Sequence, residues 1–412
     1  MTSRPLHAVL LPAEAGAGQL LAALSAALDG TGPALLPLDP ALPPGRLARL
    51  LEALAPSALQ TLDGTERISP PASPSMPAAG AGDDAAVVIA TSGSTGEPKG
   101  VELTAAALRA SAGASLARIG AGPGQRWLCC LPAFHVAGIG VLVRSLLAGT
   151  DPVISSRVDA GVIEASGCSH VSLVPAQLRR LLDAGAPLAA FGTILLGGAA
   201  PPPGLVAEAA AAGARVVTTY GMSETCGGCI YDGLPLDGVS VDVEADGRIK
   251  IAGPVLFSGY RLRPELTRAA LSGGWFRTSD LGFLDEAGLL RVRGRADDLI
   301  NTGGEKVVPG EIEAVLGTMQ AVRDVVIVGM PDRQWGELVT AFVVPADPAA
   351  VPGLDEVRAH VRERLPAYAA PRQLFVLPAV PLLPSGKPDR SALRRLASEE
   401  APAGAMERHG NI

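Results

Sequence analysis

The chain has 412 residues, of which 48% are hydrophobic and 18% are charged, enough for one large domain and a smaller one. Its net charge is −7 and it has no run of lysine or arginine, which argues against nucleic-acid binding. No apolar stretch is long enough to span a membrane, and the run Ala8–Leu11 is too short for a signal-peptide core. We therefore expect a cytoplasmic protein.

The five cysteines do not predict a disulfide framework, because their number is odd and the chain is long. Cys226-Gly-Gly-Cys229 has the spacing of a metal knuckle or a redox pair. A zinc site would need two more ligands at similar spacing, and the sequence has no second such pair. We interpret Cys226 and Cys229 as reduced thiols in a glycine-rich turn.

The first two thirds of the chain predict an α/β domain. Residues 66–84 are rich in Pro, Ser, Ala and Gly and indicate a loop, and the apolar run Ala85–Ala90 then predicts a buried strand. Similar strands alternate with Ala- and Leu-rich segments of helical spacing, which favours a largely parallel sheet. The predicted strands are Val171–Val174, Thr193–Leu196 and Arg215–Thr219, and the predicted helices are Gln177–Ala184 and Gly204–Ala212.

The pattern changes after residue 240. Val239–Val243, Arg248–Ile251 and Leu289–Arg293 are short strands separated by turn residues, which predicts antiparallel pairing. A charged junction at 295–298 follows, and a small α+β domain comes after it. Its predicted elements are the helices Pro309–Leu316 and 354–365 and the strands Val325–Val328 and Val339–Val344. We expect a large N-terminal α/β domain over 1–294, with mostly parallel sheets and a small antiparallel region, and a small mobile C-terminal α+β domain over 298–412.

A glycine- and hydroxyl-rich segment directly after the strand Ala85–Ala90 is the strongest chemical signal. Glycines let the backbone approach phosphate oxygens closely, and loop amides and hydroxyls then donate hydrogen bonds to them. The segment cannot be aligned with a Walker loop. The candidate phosphate-binding residues are Thr91, Ser92, Gly93, Ser94, Thr95, Gly96 and Lys99.

This segment resembles the phosphate-binding signature of the acyl-adenylate-forming superfamily, which contains acyl-CoA synthetases, peptide-synthetase adenylation domains and luciferases. Five further segments resemble the other signatures of that superfamily, in the expected order, so that the resemblance spans residues 85–395. They are Gly197–Ala199, Thr219–Thr225, Trp275–Gly282, Gly294–Asp298 and Pro384–Lys387.

The resemblance implies that ATP binds with Mg²⁺ and that a carboxylate attacks its α-phosphate. Glu224 would hold the Mg²⁺, and Lys387 would stabilise the charge that develops in this step. Asp280 and Arg295 would bind the ribose. The other implied nucleotide contacts are Gly197, Gly198, Ala199, Thr219, Tyr220, Gly221, Ser223 and Thr225.

The second half-reaction implied by the resemblance transfers the acyl group to the thiol of coenzyme A. The small domain would rotate about Asp297 and remove Lys387 from the reacting atoms. Gly303 and Gly304 would then let the pantetheine arm pass, and Lys306 would meet a CoA phosphate. Relatives in the superfamily are often dimers, so a homodimer is also expected.

The acid substrate is suggested by a few further residues. His135, in Pro132-Ala133-Phe134-His135, resembles the gate of the acyl pocket in CoA ligases of the superfamily. Only 90 residues precede Thr91, fewer than in the fatty-acyl and acetyl-CoA synthetases of the superfamily. The segment Ser169–Leu182 resembles that of the superfamily members acting on o-succinylbenzoate in menaquinone synthesis. Arg180 is the candidate for the second carboxylate of that acid. The other candidate pocket residues are Ser172, Gln177, Gly198 and Gly221.

Three alternatives stay open at this point. The chain could be a CoA ligase for another aromatic or medium-chain acid, since only the pocket would differ. It could be a stand-alone adenylation domain that loads a carrier protein. It could also be a nucleotide-binding relative without catalysis, although the presence of Glu224, Asp280, Arg295 and Lys387 argues against this.

Overall fold

The structure is a computed structural model that describes residues 4–68, 84–92, 97–383 and 386–400. Four of the predicted phosphate-loop residues, Gly93, Ser94, Thr95 and Gly96, therefore lie outside the described residues, as does the side chain of Ser92. The contacts divide the chain into two compact units. The first unit comprises Met1–Pro201, Leu205–Thr278 and Phe283–Arg291, and the second comprises Pro202–Gly204, Ser279–Gly282 and Val292–Ile412.

Helices and strands alternate over most of the first unit. The α-helices are α1 (Ala17–Leu28), α2 (Pro44–Leu54), α3 (Ala105–Ile119), α4 (Val136–Leu147), α5 (Ala160–Ser166), α6 (Pro175–Asp183), α7 (Leu205–Ala211), α8 (Pro264–Ala270), α9 (Pro309–Leu316), α10 (Leu354–Arg362) and α11 (Arg390–Glu400). The first twelve strands are β1 (Leu6–Val9), β2 (Ala34–Pro37), β3 (Ala58–Thr61), β4 (Gly64–Arg67), β5 (Ala85–Ser92), β6 (Pro98–Thr104), β7 (Trp127–Cys129), β8 (Val153–Ile154), β9 (His170–Leu173), β10 (Thr193–Leu196), β11 (Val216–Met222) and β12 (Gly227–Tyr231).

Shorter strands and hairpins follow. They are β13 (Leu234–Pro235), β14 (Ser240–Val243), β15 (Arg248–Ala252), β16 (Gly259–Tyr260), β17 (Leu271–Ser272), β18 (Trp275–Leu284), β19 (Leu290–Arg295), β20 (Ile300–Thr302), β21 (Glu305–Val307), β22 (Val322–Asp332), β23 (Gly336–Pro345) and β24 (Gln373–Val376).

The first sheet described has the strand order β16-β6-β5-β2-β1-β3-β4. Its centre is parallel, with β1 paired to β2 and β3 and with β2 paired to β5, whereas β5 and β6 form an antiparallel hairpin. Strand β5 is buried because its run Ala85–Ile89 lies in the core. Strand β4 includes Glu66 and Arg67, so the predicted loop over 66–84 begins too early. The strand is short and exposed, and its polar composition does not distinguish it from a loop.

The second sheet described has the order β13-β12-β11-β10-β9-β7-β8 and is parallel from β8 to β11. Three of its strands confirm the sequence prediction to within a few residues. The sheet is buried in the core: its strand residues Trp127, Ile194 and Leu196 are essentially unexposed. A third sheet, of order β14-β15-β18-β17 with β19 beside β18, supplies the predicted antiparallel region.

Capping residues set the bounds of several helices. The hydroxyl of Thr104 accepts a hydrogen bond from the amide of Ala107 and so starts α3, which ends at Gly120 with φ +69°. Asp159 starts α5 in the same way, by accepting from the amide of Val162.

The second unit is built on a sheet of order β21-β20-β23-β22, with β24 parallel to β23. Helices α9 and α10 contribute Ile312, Leu316 and Val357 to one core, and Leu393 of α11 joins Phe342 in another. The α+β composition predicted for this region is confirmed. The predicted domain bounds, the hinge at 295–298 and the mobility of the small domain stay predictions. No helix in the described ranges is both long and apolar enough to cross a membrane.

Candidate active site

The candidate phosphate segment connects two paired strands. Strand β5 ends at Ser92 and β6 begins at Pro98, with Thr91 opposite Lys99 in the antiparallel register. The hydroxyl of Thr91 donates to the carbonyl oxygen of Lys99 at 3.4 Å. A Cβ on Gly100 would lie 2.8 Å from Leu54 Cδ2, so a larger residue at the base of this hairpin would require neighbouring side chains to shift.

The predicted adenine segment follows β10. Gly198 has φ +83°, a backbone conformation that glycine adopts readily. A Cβ on Gly197 would lie 2.2 Å from the hydroxyl of Thr219 on the neighbouring strand β11. The structure thus brings Gly197, Gly198 and Thr219 together, and Ala199 continues the same turn.

The end of β11 forms a tight turn around the predicted metal ligand. A Cβ on Gly221 would lie 2.0 Å from the carbonyl oxygen of Gly227, so only glycine fits. Ser223–Thr225 form a single 3₁₀ turn in which Ser223 is partly exposed. Thr225 is fully buried, and its hydroxyl accepts from the amide of Met222 and lies 2.7 Å from the carbonyl oxygen of Gly227. Its hydroxyl therefore lies inside the turn, and its contact with the nucleotide stays a prediction.

Glu224 is held at both its main chain and its side chain. The hydroxyl of Tyr260 donates to Glu224 Oε1 at 2.9 Å, and the amide of Phe257 donates to the Glu224 carbonyl oxygen at 2.9 Å. Burial and the adjacent Glu224 carboxylate raise the pKa of Tyr260 far above its ordinary value, so the phenol remains a donor. Sequence reasoning missed Tyr260, since nothing in the sequence links positions 36 residues apart.

The donor set around Glu224 fits Mg²⁺ that arrives with a nucleotide. Among the described residues there is no cluster of three or more His, Cys, Asp and Glu that could hold a metal by itself. Mg²⁺ commonly keeps several waters and is held by one or two carboxylates together with substrate phosphates. One oxygen of the Glu224 carboxylate accepts the hydrogen bond from Tyr260, and the second oxygen would be the metal ligand. Glu224 is therefore suited to that arrangement.

The segment before α4 forms the predicted acyl gate. His135 lies at the N-cap of α4, its ring 4.8 Å from that of Phe134, and its amide donates to the carbonyl oxygen of Pro132. A Cβ on Gly138 would lie 2.3 Å from that same oxygen. The loop can therefore lie directly on the first turn of α4.

The predicted pocket residues of β9 and α6 have different environments. Gln177 uses both ends of its amide on the backbone, accepting from the Val174 amide at 3.0 Å and donating to the Cys130 carbonyl oxygen at 3.4 Å. Both ends of this amide are thus bonded to the backbone, and its contact with substrate stays a prediction. Arg180 is exposed, and its positive charge opposes the burial that raises the pKa of Cys130 to about 12. Arg180 and Gln177 thus both lie near Cys130.

Arg144 is a candidate that sequence reasoning missed. It lies in α4, is only 9% exposed, and its guanidinium stacks on the ring of Trp127 at 4.4 Å. It donates to the hydroxyl of Ser172 at 3.0 Å, whereas its Nε has no partner in the part of the chain that the structure describes. Burial lowers its pKa. The available signal was that Arg144 is the only charged residue in the mostly apolar segment Val136–Leu147.

The second unit carries the predicted ribose site. Arg295 lies 3.4 Å from Asp280 and 3.2 Å from Asp297, and Asp280 is only 8% exposed. Asp297 belongs to the 3₁₀ turn Ala296–Asp298. The structure therefore brings together the predicted ribose pair and the predicted hinge residue.

The predicted CoA loop is a tight turn between β20 and β21. Gly303 and Gly304 have φ of +63° and +86°, and a Cβ on Gly303 would lie 2.9 Å from the ring of Trp335. The guanidinium of Arg372 stacks on the same Trp335 ring, 3.7 Å from its centroid. Lys306 is exposed on β21. Trp335 and Arg372 extend the surface that the sequence assigned to CoA.

Lys387 lies in a short hairpin of the second unit. Leu382 and Pro388 form an antiparallel bridge, and the amide of Leu383 donates to the carbonyl oxygen of Lys387 at 2.8 Å. Gly386 has φ +78° and supports the turn, and Lys387 itself is exposed. The hairpin thus presents this side chain at the surface of its unit.

Comparison with known proteins relates both units to one group of enzymes. Residues 13–261 match the family described as AMP-binding enzyme, and residues 311–387 match the AMP-binding enzyme C-terminal domain. A relative from Mycobacterium tuberculosis (strain ATCC 25618 / H37Rv), named "Probable 2-succinylbenzoate--CoA ligase", is 43% identical over 409 residues, covering 96% of this chain and 99% of the relative.

Solved structures give the same relationship. The o-succinylbenzoate CoA synthetase (MenE) from Bacillus subtilis, in complex with the acyl-adenylate intermediate OSB-AMP, has a TM-score of 0.79 and 28% identity, covering 100% of this chain and 90% of that one. The same enzyme in complex with ATP and magnesium ion has a TM-score of 0.78 and 29% identity, covering 96% of this chain and 90% of that one.

Proposed function

The chain belongs to the AMP-binding enzyme family, and from that premise we propose that it is an ATP-dependent ligase that joins o-succinylbenzoate to coenzyme A. The first half-reaction forms an acyl-adenylate and releases pyrophosphate. The second forms the CoA thioester and releases AMP. Such an enzyme serves menaquinone synthesis in the cytoplasm. A homodimer stays a prediction.

The observation that carries the choice of acid is the burial of Arg144 without an acidic partner among the described residues. A buried cation is costly unless an anion or several acceptors face it. A substrate with a second carboxylate would supply the missing negative charge. The relative that is 43% identical over nearly its full length is named for such an acid, which supports the same choice.

The adenylation step brings two anions together, so the protein's contribution is alignment and charge compensation. Lys99, Thr91 and the segment after β5 bind the phosphates, and Glu224 would hold Mg²⁺, which would offset phosphate charge. The adenine binds at the segment Gly197–Ala199. Asp280 and Arg295 bind the ribose.

The same step requires a cation at the reacting carboxylate. Lys387 stabilises the charge on the carboxylate and the α-phosphate as the acyl–phosphate bond forms and pyrophosphate leaves. His135 lines the acyl pocket beside Phe134. These roles extend the family's chemistry to the residues of this chain.

The thioester step needs a path for the pantetheine arm. Gly304 leaves room for it, because a Cβ there would meet nothing within 4 Å, whereas the missing Cβ of the neighbouring Gly303 makes room for the Trp335 ring. Lys306 provides a positive charge for a CoA phosphate, and Arg372, stacked on Trp335, provides a second one. The thiol attacks the acyl carbonyl, and AMP leaves.

The test is pyrophosphate release with ATP and Mg²⁺ across o-succinylbenzoate, benzoates and medium-chain acids, followed by CoA addition and mass spectrometry of the product. We expect release with o-succinylbenzoate and then its CoA thioester. Release with a different acid would refute the substrate. Release without a thioester, together with acyl transfer to a carrier protein, would refute CoA as acceptor. Silence with every acid would refute the catalytic assignment.

A further inference from the structure

Tyr260 connects the strand that carries Lys99 with the turn that carries Glu224. It lies on the short strand β16, where it pairs with Val101 of β6. Its amide donates to the hydroxyl of Thr267 at 2.8 Å, and its carbonyl oxygen accepts from the amide of Arg263. The backbone of Tyr260 is therefore fixed on both sides before the side chain is considered.

The ring of Tyr260 is fixed as well. It packs edge-on against Phe257, with ring centroids 4.9 Å apart, and Phe257 in turn packs edge-on against the buried Phe276. Lys99 Nζ lies 5.6 Å from the centroid of the Tyr260 ring, within the range of a cation–π contact. One rigid aromatic side chain thus contacts a candidate phosphate-binding cation and supports a candidate metal ligand.

The Glu224 carboxylate is constrained by this ring. Its Oε1 accepts from the Tyr260 hydroxyl at 2.9 Å. The backbone carbonyl oxygen of Glu224 accepts from the amide of Phe257, which lies three residues before Tyr260. A glutamate has several rotamers, and ordering it only when a metal binds would cost conformational entropy. The hydrogen bond removes much of that freedom in advance.

We propose that Tyr260 is a positioning residue that engages one oxygen of the Glu224 carboxylate, so that the carboxylate is already oriented for the Mg²⁺ of the bound nucleotide. The assignment rests on the proposed function, because it takes Glu224 as the metal ligand. Hydrogen-bonding partners of metal-ligating carboxylates orient them, and their loss weakens metal binding. Tyr260 does not touch the reacting atoms and is not a catalytic residue.

The test is the Tyr260→Phe variant, which removes the hydroxyl and keeps the ring. Mn²⁺ replaces Mg²⁺ as the probe, and electron paramagnetic resonance measures free Mn²⁺ in the presence of α,β-methylene ATP. We expect the Kd of Mn²⁺ to rise about tenfold in Tyr260→Phe. The Mg²⁺ concentration that half-saturates adenylation should rise in parallel, whereas the KM for CoA with a supplied acyl-adenylate should stay constant.

Tyr231→Phe is the matched control. It makes the same chemical change in the same unit, where the Tyr231 hydroxyl is 2.7 Å from the Ser115 hydroxyl and buried. Mn²⁺ binding should be unchanged in this variant. Equal Mn²⁺ affinity in Tyr260→Phe and the wild type would overturn the positioning role.

A second comparison keeps the inference falsifiable if Tyr260→Phe lowers stability. In a Glu224→Gln background the same Tyr260→Phe change should no longer affect Mn²⁺ binding, because its route through the carboxylate is gone. A persistent effect there would overturn the inference. A wild type that fails to bind Mn²⁺ with the nucleotide would overturn both this role and the proposed function. Normal wild-type binding with an unaffected variant would overturn this role alone.

Discussion

Arg144 donates a hydrogen bond to the hydroxyl of Ser172 across 3.0 Å, from a helix to the adjacent parallel strand. Ser172 was a candidate pocket residue on sequence grounds, and Arg144 was not. The contact places a buried positive charge beside a predicted pocket residue.

Replacing this charge should therefore impair use of the dicarboxylic acid. We expect Arg144→Met to lower kcat/KM for o-succinylbenzoate by roughly 10- to 100-fold, the range for losing a hydrogen bond to a charged group. A benzoate without the second carboxylate should be affected much less. Steady-state pyrophosphate release with both acids measures the difference.

The companion variant Arg180→Ala separates the two candidate arginines. Arg180 is exposed, so its removal leaves the buried charge in place. A larger loss in Arg180→Ala than in Arg144→Met would return the second carboxylate to Arg180. Equal losses with both acids in Arg144→Met would indicate a purely structural role.

Lys387 and Lys306 should affect opposite halves of the reaction. We expect Lys387→Ala to slow adenylation by about 100-fold or more, because one charge that stabilises the transition state is lost. Thioester formation from supplied acyl-adenylate should change little. Lys306→Ala should instead raise the KM for CoA. Single-turnover measurements of each half-reaction test both, and equal damage to both halves by Lys387→Ala would refute its assigned role.

The turn around Glu224 should not tolerate a side chain at Gly221. A Cβ there would lie 2.0 Å from the carbonyl oxygen of Gly227, and the backbone has to shift to relieve the clash. We expect Gly221→Ala to lower the free energy of unfolding by about 1–3 kcal/mol, as overpacking commonly does. ATP binding should weaken in the same variant. Urea denaturation followed by tryptophan fluorescence measures the first effect, and calorimetric titration the second.

Gly113→Ala is the control for that experiment. Gly113 lies within α3, and the nearest atom to its added Cβ is Leu147 Cδ2 at 3.7 Å. We expect this change to be neutral or to stabilise the protein by up to about 1 kcal/mol, because alanine favours a helix. A Gly221→Ala variant as stable as Gly113→Ala would contradict the predicted clash.

The buried thiols predict a loss of stability at high pH. Burial raises the pKa of Cys129, Cys130 and Cys229 from an ordinary value of 9.0 to about 12. The unfolded chain loses these protons first, so their contribution to stability is complete below about pH 9 and declines toward pH 12. We expect Tm to fall between pH 9 and 11, and to fall less steeply in Cys229→Ala. Identical slopes would contradict the assignment for Cys229.

Much of the fold followed from local pattern. The apolar runs that become β9 and β10 lie between helical segments, and their strands were predicted to within one residue. The first strand, β1, was missed because a run of four residues, three of them buried, is too short to show a period of its own. The amphipathic pattern over 354–365 extended three residues past the observed end of α10 at Arg362.

The site residues also divide into those that the sequence predicted and those that it did not. Glu224, Asp280 and Lys387 were found because each belongs to a segment with a recognisable order of residues. Tyr260 and Arg144 were missed because their meaning lies in contacts with Glu224 and Ser172 that bridge 36 and 28 positions of sequence. Neither separation leaves a pattern that local reasoning could use. Gln177 and Thr225 were predicted from sequence, whereas the hydrogen bonds of their side chains to the backbone were not.

The hairpin of β5 and β6 has a consequence for how nucleotide affinity is built. In folds where the phosphate loop opens a helix, the helix macrodipole contributes positive potential that belongs to the backbone and is inseparable from the fold. Here the segment after β5 leads into strand β6, so no described helix contributes its macrodipole there and discrete charges such as Lys99 supply more of that potential. Discrete charges can be exchanged one at a time. Nucleotide affinity in this scaffold can thus evolve, or be engineered, in small steps without rebuilding its architecture.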